Sequence, residues 1–276
     1  MNYAQAFSTY EKQLDLLGEE KESLAFTFKA LKKWTTLDYL LHQNQPISLE
    51  DKTLLDEIYK QLAAHKPAQY IIGQAEFCGL SFTVDERVLI PRAETQELVE
   101  LILSENDTQT ISLLDIGTGS GAIALSLKAN RPDWQIKASD ISAEALQVAQ
   151  TNAARLDVDV TFIQSDLYQA ITGQFDIIVS NPPYISYDDK EEVGTNVLLS
   201  EPHLALFAKE DGYAIYRQLI QKASHHLKPQ GKIYVEIGYK QGDYVKTLFQ
   251  ESFPQAHVRV IKDMFGHDRM VVMANG

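Results

Sequence analysis

Cysteine is nearly absent. The single Cys78 in 276 residues excludes an internal disulfide and any cysteine-rich metal site. Long apolar runs are missing as well: stretches such as Ile177-Ile178-Val179 fall far short of the ~20 residues that span a bilayer. Met1-Asn2-Tyr3-Ala4 lacks the basic start and apolar segment of a secretory leader, so a cytoplasmic protein is expected. Basic residues are outnumbered, 25 Lys and Arg against 38 Asp and Glu, giving a net charge of −13. That excess repels phosphate backbones, and no basic run offsets it, which excludes a broad duplex-binding face. The motifs Gly-Lys-Ser/Thr, Gly-x-Ser-x-Gly, His-Glu-x-x-His and Cys-x-x-Cys are all absent. Phosphate-loop NTPases, nucleophile-elbow hydrolases, zincins and dithiol redox proteins lose support with them. No internal repeat or low-complexity segment is present, and 45% hydrophobic with 23% charged residues describes an ordinary globular chain.

What is there begins with helical spacing. Tyr3, Ala6, Phe7, Tyr10, Leu14 and Leu17 form one stripe stopped by Gly18; Leu37, Leu40 and Leu41 form a shorter one. Ser48, with Asp51 as a weak capping box, starts a third over Leu54, Leu55, Ile58, Tyr59 and Leu62, ended by Pro67. The period then changes, and residues 75–90 read as a short β-hairpin around Cys78-Gly79. Leu98, Leu101 and Ile102 restart a helix. From there strands and helices alternate. The strand candidates are Ile111–Ile116, Gln135–Asp140, Val160–Gln164, Phe175–Ser180, Lys232–Ile237, Val258–Ile261 and Met270–Met273. Helices are predicted at Ser142–Leu156 and Tyr213–Leu227, among others. Alternation of this kind predicts an α/β fold with a doubly wound parallel sheet. The last two strands are joined by a loop too short for a crossover helix, so they should be antiparallel.

Asp115-Ile116-Gly117-Thr118-Gly119-Ser120-Gly121 ends the first strand of that sheet. Three glycines in five residues allow a tight turn and close approach of a ligand to the backbone, beside a helix N-terminus. Two ligand classes compete. Gly117, Gly119 and Ala122 satisfy a relaxed dinucleotide fingerprint, with Asp140 where a ribose-binding acid belongs. S-adenosylmethionine fits too: it has a ribose but no phosphate, and Asp115 would face its cationic groups. Asp140 ends the second strand and can accept both ribose hydroxyls in either case. Asp166 follows the third strand, where it could meet an adenine amine while Leu167 covers the ring.

Asn181-Pro182-Pro183-Tyr184 follows the apolar strand Phe175–Ser180. Strand carboxyl ends are where open α/β sheets bind ligands. Two prolines fix φ and remove two N–H donors, so the segment is biased toward accepting. The Asn181 side-chain oxygen and the Pro182 carbonyl together suit one planar NH2 group.

On these residues the chain resembles S-adenosylmethionine-dependent methyltransferases of planar amino groups, and among them the release-factor glutamine methyltransferases. Further matches are Pro67–Gly73, Glu76-Phe77, Leu89–Arg92, Glu94-Thr95, Glu201-Pro202, Asp211-Gly212, Glu236–Gly238, Lys262-Asp263, Gly266 and Arg269. The resemblance implies a seven-stranded Rossmann-like methyltransferase sheet with its last strand antiparallel. It also implies an N-terminal helical substrate-recognition domain over 1–72, a β-hairpin connector over 73–93 and the catalytic domain over 94–276. S-adenosyl-L-methionine would be held by Asp115, Gly117, Thr118, Gly119, Ser120, Gly121, Asp140, Ile141, Asp166, Leu167 and Asn181. Asn181, Pro182, Pro183 and Tyr184 would hold the substrate, with Asn181, Pro182 and Tyr184 catalytic. The partners would be class 1 peptide chain release factors, methylated by a monomer with no metal and no nucleic-acid substrate. Ala93, Gln96 and Leu167 depart from the family's usual proline, glutamate and aromatic.

An amide nitrogen is a poor nucleophile, so the expected task of the protein is to aim it at an activated methyl group. No base is required beforehand, and no histidine is assigned a role; His225 and His226 are expected on a helix surface. Adenine-amine methylation shares the Asn-Pro-Pro-Tyr pattern but needs a flipped base and a nucleic-acid face. A nicotinamide oxidoreductase explains neither Asp115 nor Asn181–Tyr184, and a non-catalytic binding module leaves that segment without a purpose.

Overall fold

The computed structural model describes residues 1–106 and 110–275, and the chain divides into two compact units. One comprises Met1–Gln74 and Val193–Glu201; the other comprises Ala75–Glu192 and Pro202–Gly276. Among the described residues no helix is long and apolar enough to cross a membrane.

The first unit is helical. Tyr3–Leu16 starts from a capping box between Asn2 and Gln5, which satisfies two N–H groups at the helix start. Its stripe Tyr3, Ala6, Phe7 and Leu14 is buried against Leu24 and Phe28 of Glu22–Lys32 and Leu55, Ile58 and Leu62 of Leu49–Ala63. Each large apolar side chain buried this way contributes about 1.5–3 kcal/mol. Glu22–Lys32 is a helix that the structure adds: charged Glu19-Glu20-Lys21-Glu22 obscure the start of its Leu24, Thr27, Phe28 face. Ser48 caps Leu49–Ala63 by accepting from the Asp51 N–H at 3.0 Å. The box is incomplete, because the Asp51 carboxylate accepts from the Tyr3 hydroxyl and pairs with Lys32 at 2.6 Å instead. That helix stops at Ala63, and Pro67 precedes a further short helix, Ala68–Ile72. The Leu37, Leu40 and Leu41 stripe on Thr36–His42 is not core: these side chains are 64%, 50% and 64% exposed.

In the second unit, β1 (Gln74–Phe77) and β2 (Leu80–Thr83) pair across a turn where Cys78 and Gly79 have φ of 49° and 73°. Positive φ at both central residues matches the twist of a tight hairpin. Residues 84–90 lie outside the strands, which shortens the expected hairpin, although Val84, Val88 and Ile90 are buried. The large sheet starts with β3 (Ser112–Ile116), β4 (Gln135–Asp140), β5 (Thr161–Gln164) and β6 (Phe175–Ser180). Next, β7 (Ile185–Ser186) and β8 (Phe207–Ala208) form a separate parallel pair. β9 (Leu227–Glu236), β10 (His257–Lys262) and β11 (Asp268–Ala274) complete the large sheet.

Its seven strands run in the order β10-β11-β9-β6-β3-β4-β5. β9, β6, β3, β4 and β5 are mutually parallel, and β11 is antiparallel to both of its neighbours. The expected doubly wound α/β sheet with an antiparallel last strand is therefore present. The chain winds from β3 outward to β5, then returns to place β6 on the other side of β3. A crevice opens at that reversal. Helices Ala93–Glu105, Ala122–Asn130 and Ala143–Leu156 pack side by side, and Ala214–Ala223 packs on Gly242–Ser252. Leu114, Ile116, Ile178, Ile233 and Val235 of the strands join Tyr216, Leu219, Val245 and Phe249 in one core.

In the alternating region two boundaries differ from expectation by more than two residues. The helix predicted to reach Leu227 stops at Ala223, because the His226 carbonyl turns back to accept from the Phe175 N–H at 2.8 Å. His226 consequently stacks on Tyr168, 4.6 Å between ring centroids, rather than riding a helix surface. β9 begins at Leu227, five residues early, with a bulge opposite β6: Phe175 pairs with Leu227 and Ile177 with Lys232. Pro229-Gln230-Gly231 fills that bulge, and in sequence it reads as a turn.

Candidate active site

Four adjacent parallel strands, β6, β3, β4 and β5, deliver their carboxyl ends to one edge of the sheet. The register aligns Ile116 with Ser139 and Ser180, and Asp140 with Gln164. The glycine turn, Asp140, Ser165–Leu167 and Asn181–Tyr184 therefore follow side by side. Two hydrogen bonds brace this edge: the Ser180 hydroxyl donates to the Ile116 carbonyl at 2.7 Å, and the Ser165 backbone N–H donates to the Asp140 carbonyl at 2.9 Å.

The turn is held from below. The Gly117 and Thr118 N–H groups donate to the Ser139 carbonyl at 2.8 and 2.9 Å. Gly117, Gly119 and Gly121 have φ of 74°, 55° and 83°, values that disfavour any side chain. A Cβ at Gly117 or Gly119 would meet nothing within 4 Å, so these positions face open space. At Gly121 it would come within 2.9 Å of Leu125, so that glycine serves helix packing. Asp115 is fully buried beneath the turn, where it accepts from the Thr118 hydroxyl at 2.6 Å. Its Oδ1 has no hydrogen-bond partner among the described residues. Burial pushes its carboxyl up to about 7; the Thr118 bond works against this and the Asp140 charge adds to it. Contrary to expectation, Asp115 does not open onto the crevice.

The crevice holds a cavity of about 200 Å³ lined by Gly117, Gly119, Asp140, Ile141, Asp166, Leu167, Asn181, Pro182 and Pro183, together with Val88, Leu89, Pro202, Leu204 and Ala205. Thr118, Ser120, Gly121 and Tyr184 lie outside its lining. Asp140 accepts from the Gly119 N–H and the Ser142 N–H, both at 2.9 Å, one on each oxygen. Burial raises its pKa, and these backbone donors oppose the rise. Each oxygen keeps a lone pair for a ligand hydroxyl. Ile141 is 48% exposed and Leu167 is half-buried, so both present apolar surface at the cavity. Asp166 is exposed and accepts from Gln169 at 2.8 Å.

Asn181 shows what the sequence reading left out. Its Nδ2 donates to the Thr95 hydroxyl oxygen at 3.0 Å, and that hydroxyl donates to Glu236 Oε2 at 2.6 Å. Ser180 pairs with Val235, so the next residues on each strand, Asn181 and Glu236, are neighbours. Glu236 is 1% exposed, and burial pushes it up to about 7 against the Thr95 bond and the Arg269 charge. Glu94-Thr95 and Glu236 enter the sequence reading only as family matches; nothing in their spacing shows that they meet across 141 positions. Tyr184 packs its ring on the sheet core, and burial pushes its phenol up to about 12. Its carbonyl accepts from Gln241 Nε2 at 3.0 Å. Gly212, with φ of 86°, lies against the same carbonyl: a Cβ there would sit 2.1 Å from the oxygen.

An open sheet of this order, with a glycine turn, a ribose-type acid and Asn-Pro-Pro-Tyr at the central strand ends, defines a Rossmann-like methyltransferase. Residues 94–206 match the methyltransferase small domain family, and residues 5–73 match the PrmC N-terminal domain family. The chain is 56% identical over 277 residues to a release factor glutamine methyltransferase of Streptococcus pneumoniae (strain ATCC BAA-255 / R6), covering 100% of this chain and 99% of the relative. It is 49% identical over 253 residues to the one of Lactococcus lactis subsp. lactis (strain IL1403), covering 92% and 94%. A solved methyltransferase from Pyrococcus furiosus shares the fold, with a TM-score of 0.54 at 20% identity over 72% of this chain and 90% of its own. The chain belongs to the release factor glutamine methyltransferase family.

Proposed function

We propose that this enzyme transfers a methyl group from S-adenosyl-L-methionine to the side-chain amide nitrogen of the glutamine in the Gly-Gly-Gln loop of class 1 peptide chain release factors, in support of translation termination. The observation that carries this reading is Asn181: its Nδ2 is engaged by Thr95, which leaves Oδ1 as the amide's free acceptor at the cavity.

The residues present suit the cofactor. Asp140 would take the ribose hydroxyls, Asp166 the adenine amine, and Ile141 and Leu167 the ring faces, while Gly117 and Gly119 open their Cα side to the ligand. Asp115, Thr118, Ser120 and Gly121 would act by shaping the turn rather than by touching the ligand. When bound, the cofactor supplies a methyl group activated by a sulfonium, and S-adenosyl-L-homocysteine is the leaving product.

The protein's own residues orient and desolvate. Asn181 Oδ1 and the Pro182 carbonyl accept the two amide hydrogens, and these acceptors stabilise the positive charge that grows on nitrogen as the new N–C bond forms. Pro183 narrows the opening. Tyr184 lies outside the cavity lining and packs on the sheet core, so it would stiffen the segment from behind. The alkylated nitrogen then loses its proton to water, so no side-chain base is required. Residues 1–72 would form the substrate-recognition domain, residues 73–93 the connector and residues 94–276 the catalytic domain. In this reading the enzyme is a cytoplasmic monomer whose substrate is protein, which the net charge of −13 suits better than nucleic acid. Purified enzyme, methyl-labelled S-adenosylmethionine and a class 1 release factor test the assignment: label on the loop glutamine is expected, and label elsewhere or none would overturn it.

A further inference from the structure

We infer that Thr95 and Glu236 are positioning residues that fix which end of the Asn181 amide faces the reacting nitrogen. An asparagine amide has nearly the same shape in its two flipped states, but only its oxygen can accept. The wrong flip would set NH2 against the substrate's NH2, donor against donor. Packing does little to choose between two groups of such similar size, so a hydrogen-bonding partner has to decide.

Thr95 supplies that partner. Its hydroxyl has one hydrogen, committed to Glu236 at 2.6 Å, so only lone pairs remain for Asn181. Asn181 therefore turns Nδ2 inward, at 3.0 Å, and Oδ1 outward. An ionised Glu236 has no hydrogen to give, which sets the direction of the whole relay. The paired strands hold its ends: Ser180 of β6 aligns with Val235 of β9 immediately before Asn181 and Glu236. The groups facing Glu236 are Thr95 and the Asn181 amide, both of which favour its ionised form, Arg269 of β11, Glu94 on the helix of Thr95, Tyr184, and Tyr216, whose hydroxyl donates to the Glu236 carbonyl at 2.7 Å. A proton on Glu236 would reverse the relay. Glu236 would donate to Thr95, Thr95 to Asn181 Oδ1, and NH2 would face the substrate. The relay rests on the methyl-transfer reading, in which Oδ1 accepts from the substrate amide.

Wild type and Thr95→Val, Thr95→Ser and Glu236→Gln variants test it, with kcat, KM and cofactor affinity measured on a release factor across pH 6 to 9 and folding checked by thermal unfolding. Thr95→Val should lose ~30- to 100-fold in kcat, a little less than loss of a whole preorganised acceptor, with cofactor affinity within about twofold. Thr95→Ser should restore kcat to within about threefold of wild type. Wild-type kcat should fall as pH drops through about 7; Glu236→Gln should lose that acid limb. A folded Thr95→Val within about threefold of wild type, a Thr95→Ser as impaired as Val, or an acid limb that survives Glu236→Gln would each overturn the relay. A wild type that labels no glutamine would overturn the methylation reading instead, which separates the two failures.

Discussion

At the scale of single residues, Asn181 and Asp115 make the sharpest predictions. Asn181→Ala removes an acceptor that acts where charge appears only as the methyl arrives, so turnover should fall by ~10²–10³. Cofactor affinity should change little, since Asp140 and the glycine turn remain. Asn181→Asp keeps an acceptor and should retain partial activity; single-turnover rates at saturating cofactor read both. Asp115 is raised to about 7 by burial, so the folded state holds its proton more tightly than the unfolded chain does. The stabilisation from that proton is complete below the unfolded value of about 4 and is lost as pH rises through about 7. Asp115→Asn keeps an acceptor for Thr118 without a titrating charge. Its stability relative to wild type should therefore rise between pH 4 and pH 7, by a few kcal/mol at most given ~1.4 kcal/mol per pH unit. Denaturant midpoints at the two pH values check this, and a difference that does not change with pH would contradict it.

At the scale of elements, the Asn181–Tyr184 segment depends on a neighbouring turn. Gly212 has a φ of 86° and leaves only enough room for the Tyr184 carbonyl. Gly212→Ala would suffer both the left-handed backbone and a clash with a main-chain oxygen that Gln241 also holds. The expected cost is ~1–3 kcal/mol of stability, with kcat falling more than cofactor affinity because the shift lands on the substrate side of the cavity. Thermal unfolding together with kcat on a release factor would show it. Strand ends were the most legible elements. β4 and β6 run Gln135–Asp140 and Phe175–Ser180 as expected, β6 on its aromatic and β-branched Phe175, Ile177, Ile178 and Val179. β9 was not, because Pro229 and Gly231 signal a turn locally while the pairing with β6 and β11 carries the strand around them.

At the scale of the whole molecule, the helical unit carries exposed apolar surface that its core does not need. Leu37 and Leu41 are each 64% exposed on one short helix, and the proposed recognition role of residues 1–72 predicts that they touch the protein substrate. Leu37→Glu with Leu41→Glu should raise KM for the release factor about tenfold or more and leave kcat on a short Gly-Gly-Gln peptide within about twofold. Equal KM for the whole release factor would place recognition elsewhere. Point substitutions test this better than deletion of residues 1–72. Val193–Glu201 packs with that unit, and Ser200 donates to the His65 carbonyl at 3.2 Å, so deletion would strip a second segment of its partners.

The sequence by itself determined the periodicities, and through them the α/β class, the antiparallel close of the sheet and the position of each motif at a strand end. These are local properties: side-chain spacing, glycine and proline chemistry, and loop length. The tertiary structure alone decided which motif residues face the crevice. Asp115 reads as a ligand acid by its place in the motif, yet the turn folds over it and leaves Asp140 at the surface of the cavity. It also decided the partners of Asn181. Thr95 and Glu236 lie 86 and 55 positions away in opposite directions, and only the parallel register of β6 with β9, with the Thr95 helix packed beside it, brings them into one hydrogen-bonded chain. Spacing along a chain records periodic burial; it does not record contacts that strand order creates between distant segments.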